Sequence, residues 1–179
     1  MKNLTVITGF LLLTACSAVT PTDSTPKIIT SDIDHFWTAY DKITGTEDTI
    51  AQLRYLQELF LDKGSPGLEG IMRARNYTPQ EYLQAIRDYP LFWASVRENT
   101  FKAKTMAGKL KTAVDKLKAL YPDLRPADIY FTIGALRTNG TVMNSMLLIG
   151  TELAMADQNT VGSEFPESMG HLPAYAVYH

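Results

Sequence analysis

Tyr121-Pro122-Asp123-Leu124-Arg125-Pro126-Ala127-Asp128-Ile129-Tyr130-Phe131-Thr132-Ile133-Gly134 is the stretch at which the texture of the chain changes. Its two prolines restrict the residues before them to extended conformations and end any helix arriving from upstream. Ile129 to Ile133 is then rich in β-branched and aromatic residues. Val142 to Thr151, centred on Met146-Leu147-Leu148-Ile149, is a second such run. Between them Asn139-Gly140 offers the positive φ values of a tight reversal, which predicts a hairpin or neighbouring strands. Upstream, apolar residues recur at helical spacing. The expected class is therefore α+β, a mainly helical domain (31–179) followed by a small β-hairpin or sheet near its C-terminal end.

Working back from Tyr121, Pro90 opens a long helical segment whose Phe92, Val96, Met106, Leu110, Val114, Leu117 and Leu120 form an expected buried stripe. Lys102, Lys104, Lys109, Lys111, Lys116 and Lys118 make the same segment basic, and a solvated face opposite a core stripe is the simplest reading of them. Thr78-Pro79-Gln80-Glu81 is a helix start, with Thr78 as N-cap, Pro79 in the first turn and Glu81 closing a capping box. Leu68 to Arg75 reads as a short helix. Before it, Glu47 to Lys63 carries Ile50, Leu53, Leu56, Leu59 and Phe60 on one face and stops at Gly64-Ser65-Pro66-Gly67. Ser31 or Asp32 is placed to cap the first helix, with Ile33, Phe36, Trp37 and Tyr40 turned inward, and the first two helices should pack as an antiparallel pair.

The order from Tyr121-Pro122 to Glu152 is a helix ending in Tyr-Pro, an Ile-Tyr-Phe-x-Ile-Gly strand, the turn Asn139-Gly140-Thr141 and a Leu-Leu-Ile-Gly-Thr-Glu strand. It resembles the region just upstream of the active-site helix in bacterial zinc metallopeptidases of the His-Glu-x-x-His class, a group that includes lipoproteins related to gliding-motility proteins. The resemblance implies a zinc held by two histidines one helical turn apart, a Glu that activates the bound water, and a strand edge open to an extended peptide. This sequence departs from the pattern, for it contains no His-Glu-x-x-His; its three histidines are His35, His171 and His179. His179 stands where such a helix would begin, so it is a metal ligand only if the chain continues. Zinc is expected in a longer chain and no cofactor in this one, which reads as a fragment or as a domain without its site.

At the other end lies an address. Met1-Lys2 is a positive start, Leu4 to Leu13 an apolar run, and Leu13-Thr14-Ala15-Cys16 ends it with the small residues of a cleavage site. The pattern resembles a bacterial lipobox, which implies a signal peptide over 1–15 and acyl chains on Cys16, the only cysteine in the 179 residues. Residues 16–30, with Pro21 and Pro26 and few large apolar side chains, read as a flexible tether. The expected location is the bacterial cell envelope, lipid-anchored. Ser17 rather than Asp after the cysteine favours the outer membrane, facing the periplasm or the surface, if the source is Gram-negative. Seventeen basic and 19 acidic residues give a formal charge of −2, so no global field gathers nucleic acid or an anionic surface, and membrane contact is expected from the lipid alone.

Other candidates are weaker. Glu152, Asp157, Glu164 and Glu167 follow the last strand and could serve as acid and base, but their spacing matches no calcium loop and a polar surface loop explains them. His35 beside Phe36-Trp37 reads as a helix-surface or partly packed residue, and His171 and His179 are too far apart to share one ion. Arg137-Thr138-Asn139 could meet a carboxylate at the turn. Glycine-rich phosphate loops, Gly-x-Ser-x-Gly and Cys-x-x-Cys are missing from the sequence. Two functions follow as expectations: a membrane-anchored lipoprotein resembling the upstream half of a metallopeptidase-like domain and inactive as it stands, or a non-enzymatic envelope lipoprotein that binds a protein or peptide partner.

Overall fold

The computed structural model describes residues 26–166. Cys16, Glu167, His171 and His179 lie outside them. The elements are β1 (Ile28–Ile29), α1 (Ser31–Ile43), α2 (Thr49–Leu59) with a 3-10 turn at Leu61–Lys63, α3 (Pro66–Arg75), α4 (Pro79–Asp88), α5 (Pro90–Leu120), β2 (Asp128–Thr132), β3 (Gly140–Met143), β4 (Met146–Gly150) and α6 (Thr151–Ala154). The class is α+β, with a helical N-terminal part and a small sheet after the long helix. No helix among the described residues is long and apolar enough to cross a membrane.

The helices begin for local reasons. Thr78 accepts from Glu81 N while Glu81 returns a bond to Thr78 N, the capping box read from the sequence. Ser65 caps α3 through Gly67 and Leu68 N, so Pro66-Gly67 opens a helix instead of ending one. Asp48 caps α2 by accepting from Ile50 N, which leaves Ile50 in the first turn and exposed rather than on the buried face. At α1 the cap position is Thr30, with no side-chain bond; Ser31 is exposed and Asp32 faces inward instead. α1 and α2 pack together as expected.

The core is aromatic. Phe36, Trp37, Phe60, Tyr82, Phe92 and Trp93 are all buried, and their rings run edge to face and tilted from Trp93 through Phe36 (4.9 Å) and Phe60 (5.3 Å) to Tyr82 (5.5 Å). Such contacts add to the burial of the rings themselves. Both indoles are satisfied, Trp37 donating to Thr100 Oγ1 and Trp93 to Ala85 O. α3 comes so close to the sheet that a Cβ at Gly67 would lie 2.3 Å from the Tyr130 side chain, so glycine there sets the helix-to-sheet distance.

The sheet has the order β1-β2-β4-β3. β2 is parallel to both β1 and β4, and only β3 and β4 form an antiparallel hairpin. The two runs seen in the sequence are thus neighbouring strands but not a hairpin: the second run holds β4 and the end of β3, the two arms of the hairpin, joined at Asn144-Ser145. Asn144, at φ 52°, takes the left-handed conformation, whereas Asn139 and Gly140 do not. Thr138 and Gly140 brace the entry to β3 by side chain to backbone bonds instead. The sheet also begins earlier than expected, since Ile28 and Ile29 form β1 inside the stretch assigned to a tether. A short strand can add to β2 here because Lys27 N is held by the Asp128 carboxylate.

α5 departs most from its reading. Phe92, Trp93, Val96, Thr100 and Ala103 are buried, but no residue between Lys104 and Asp128 is. Met106, Leu117 and Leu120, placed by periodicity in the core stripe, are exposed, and Leu110 and Val114 are only half-buried. The lysines do sit on a solvated surface, where Lys104 pairs with Asp34 and Lys111 with Asp115.

Candidate functional site

β2 leaves the sheet at Thr132, and the chain turns through Ile133-Gly134-Ala135-Leu136-Arg137 before β3. β4 delivers Gly150 straight into α6, so Glu152 stands beneath that turn. Glu152 is fully buried, with Oε2 accepting from Gly134 N at 3.0 Å and Oε1 accepting from Leu136 N at 3.3 Å. Gly134 allows the approach: a Cβ there would lie 3.0 Å from Glu152 Oε1 and 3.1 Å from the Tyr77 hydroxyl. Leu136 is held at φ 59°, a left-handed conformation that costs a β-carbon-bearing residue roughly 1–2 kcal/mol. Its burial and its bond to Glu152 hold it there.

Burial dominates the electrostatics. It pushes the Glu152 carboxyl up to about 7, against the three backbone N–H bonds, from Gly134, Leu136 and its own amide, that favour the anion. The Tyr82 hydroxyl donates to Ile133 O at 2.9 Å, and burial together with the nearby Glu152 carboxylate holds that phenol well above its usual range. The buried Tyr77 hydroxyl has no hydrogen-bond partner among the described residues, and the same two causes raise it. Arg137 lies over the Tyr77 ring, 5.5 Å from its centroid, and pairs with Glu81 at 2.7 Å. A carboxyl near neutrality has the protonation behaviour of a general acid or base. Enclosed as it is, Glu152 acts on the protein itself and ties the 133–137 turn to α6.

A second buried carboxylate is Asp32 on α1. Asp32 Oδ1 accepts from Ser65 N at 2.8 Å and Oδ2 from Ser65 Oγ at 2.6 Å, which joins the first turn of α1 to the cap of α3. Burial raises it as well, opposed mainly by the Ser65 bonds. The sequence offers Asp32 only as a helix cap and gives no sign of Tyr77. The spacing Asp32-Phe36 (i, i+4), which puts a charge on the apolar face of α1, is the signal that could have found the first.

The carboxylates that follow β4 do not gather into one centre. Asp157 accepts from Asn159 N and Thr160 Oγ1 in a turn, and Glu164 accepts from Leu91 N and Phe92 N at the start of α5. Glu164 therefore caps a helix N-terminus, where its charge is favourable. Arg137 is engaged by Glu81 and Tyr77. His35 is half-buried on α1, and its Nδ1 has no partner among the described residues. No group of three or more His, Cys, Asp or Glu that could hold a metal ion is found among the described residues. No protein-family model, curated protein or solved structure matches this chain.

Proposed function

We propose that this is an envelope lipoprotein, anchored through acyl chains on Cys16, whose folded body resembles the upstream half of a zinc metallopeptidase-like domain and is catalytically inactive over these residues. The observation that carries the anchor is the run Met1-Lys2, Leu4 to Leu13 and Leu13-Thr14-Ala15-Cys16. Several acyl chains on one cysteine hold a protein stably where one chain would be marginal. Replacing Cys16→Ser is expected to move the protein from the membrane to the soluble fraction, read by fractionation and by loss of acyl mass on the N-terminal peptide. A Cys16→Ser protein still bearing an acylated N-terminus would end the anchor reading. The metallopeptidase likeness rests on Tyr121 to Glu152. Elemental analysis should return no stoichiometric zinc for residues 1–179, and one tightly held zinc per chain would contradict inactivity.

The second reading, a non-enzymatic lipoprotein that binds a protein or peptide, is favoured by the edge of the sheet. β3 ends the strand order, and Val142 on it is 69% exposed. An unpaired edge of this kind accepts an extended segment as a further strand. Slowed amide exchange over Gly140 to Met143 on adding an envelope extract would support this reading, and unchanged exchange there would count against it.

A further inference from the structure

Between Lys104 and Leu120, α5 runs for more than four turns without a buried residue. Projected at about 100° per residue, Met106, Ala113, Leu117 and Leu120 fall on one strip about 60° wide. Met106 is 47% exposed, Leu117 42% and Leu120 74%, and Tyr121, at the end of the same face, is 63% exposed. Leu110 and Val114 border this strip on one side, and there Val114 and the edge of Leu117 line a groove of about 390 Å³ shared with Leu124, Ile129 and Leu147. Lys109 and Lys116 flank the apolar arc along one border; along the other, Lys111 pairs with Asp115 and the Lys118 ammonium donates to Pro122 O and Leu124 O. From Lys104 to Pro126 there are six basic residues and two acidic ones, in a chain whose formal charge is −2. Lys109, Lys116 and Arg125 have no ion pair among the described residues.

We infer that this arm of α5 lies on an anionic lipid surface, with Met106, Leu117, Leu120 and Tyr121 entering the headgroup boundary and Lys109 and Lys116 meeting acidic headgroups. A solvated lysine face explains the charges only while the apolar strip beside them is buried, and it is not. An apolar arc bordered by lysines, whose alkyl stems lie along it while their ammonium groups reach outward, is the pattern of an interfacial helix. The cations without an ion pair, Lys109 and Lys116 along one border and Arg125 beyond the end of the helix, match the sign of acidic headgroups. The point where the chain enters the fold agrees. Pro26 lines the groove beside Val114 and Lys118, and Cys16 is ten residues upstream, at most about 35 Å of extended chain. The inference rests on the anchored reading for this proximity alone; the arm's charge and exposure stand without it.

The test reads placement instead of binding. In the full chain with Cys16→Ser, a single cysteine is introduced as Leu120→Cys or as Ile50→Cys, an equally exposed site on α2. Each is labelled with an environment-sensitive fluorophore. Vesicles of phosphatidylethanolamine with about one third phosphatidylglycerol, carrying a nitroxide near the headgroups, should shift the Leu120 emission to the blue and quench it, and leave the Ile50 probe unchanged. Changing Lys109→Gln and Lys116→Gln should weaken the quenching, by about fivefold in partition per lysine. Vesicles of phosphatidylcholine alone should give little. No quenching at Leu120, equal quenching at both sites, or equal response to neutral and anionic vesicles would each overturn the inference. So would an emission already blue-shifted before lipid is added, which would mean that polypeptide covers the strip. Loss of acylation at Cys16 is measured separately, so failure of the anchor reading and failure of this one are told apart.

Discussion

The two halves of α5 carry the same kind of sequence and meet different surroundings. From Pro90 to Ala103 the apolar positions are met by Phe36, Trp37 and Phe165, and Trp93 sits 4.9 Å from the Phe36 ring with its indole N–H on Ala85 O. From Lys104 onward the same periodicity continues with little opposite it. Helical spacing specifies that a face is apolar; whether another element stands against that face is decided by topology. The sharpest way to break this contrast is at its buried end. Trp93→Ala removes a fully buried indole from the ring cluster and should cost about 3–5 kcal/mol, a large share of the stability of a domain this size. Denaturant unfolding checks it, with the slope unchanged so that the loss is assigned to the native state. A cost below about 1 kcal/mol would mean that the two halves do not differ as described.

The second largest effect concerns Glu152, and it depends on pH. In the unfolded chain this carboxyl loses its proton near 4.5, and in the fold it keeps it to about 7. Over that window the native state binds more protons than the unfolded state, so the contribution of Glu152 to stability falls as pH rises, and it levels off above the folded value. The whole swing is about 3 kcal/mol. Comparing the wild type with Glu152→Gln at pH 5 and pH 8 isolates it, because every other titrating group cancels in the difference. The stability of the wild type relative to the variant should drop between the two. A difference that does not change with pH would show that Glu152 is not titrating inside the fold.

How far the sequence could be read follows the same line between local and non-local causes. The capping box at Thr78, the start of α5 at Pro90 and the strand content after Pro126 were legible, because each is set by residues within a few positions. The partners of the strands were not. Pairing β2 with β4 in parallel joins residues 18 positions apart, as Asp128 with Met146, and recruiting Ile28–Ile29 joins residues 101 apart, as Ile28 with Ile129; periodicity is blind to both. Glu152 was visible as a charge inside Leu-Leu-Ile-Gly-Thr-Glu-Leu-Ala, yet its donors, Gly134 and Leu136, lie in a turn with no motif of its own. The misplaced reversal gives a test of about 1 kcal/mol. Asn144→Ala forces a left-handed position onto a residue with little tolerance for it, whereas Asn139→Ala keeps the backbone carbonyl that Gly150 N uses. Thermal unfolding should separate the first from the wild type and leave the second within a few tenths of a kcal/mol. The reverse order would return the reversal to Asn139-Gly140.

The smallest expected effect is at the exposed end of α5, and its smallness is informative. Leu120→Ser replaces a leucine that already faces solvent, so no cavity forms and little apolar surface returns to water on unfolding. The expected change in stability is within about 0.5 kcal/mol. The same substitution removes the most exposed apolar side chain of the proposed lipid contact, so vesicle partition should fall while the unfolding curve stays where it is. A folding role and a surface role therefore predict opposite pairs of outcomes from one variant. A loss of 2 kcal/mol or more with unchanged partition would place Leu120 in a packed interface, and the two halves of α5 would then differ only in what covers them.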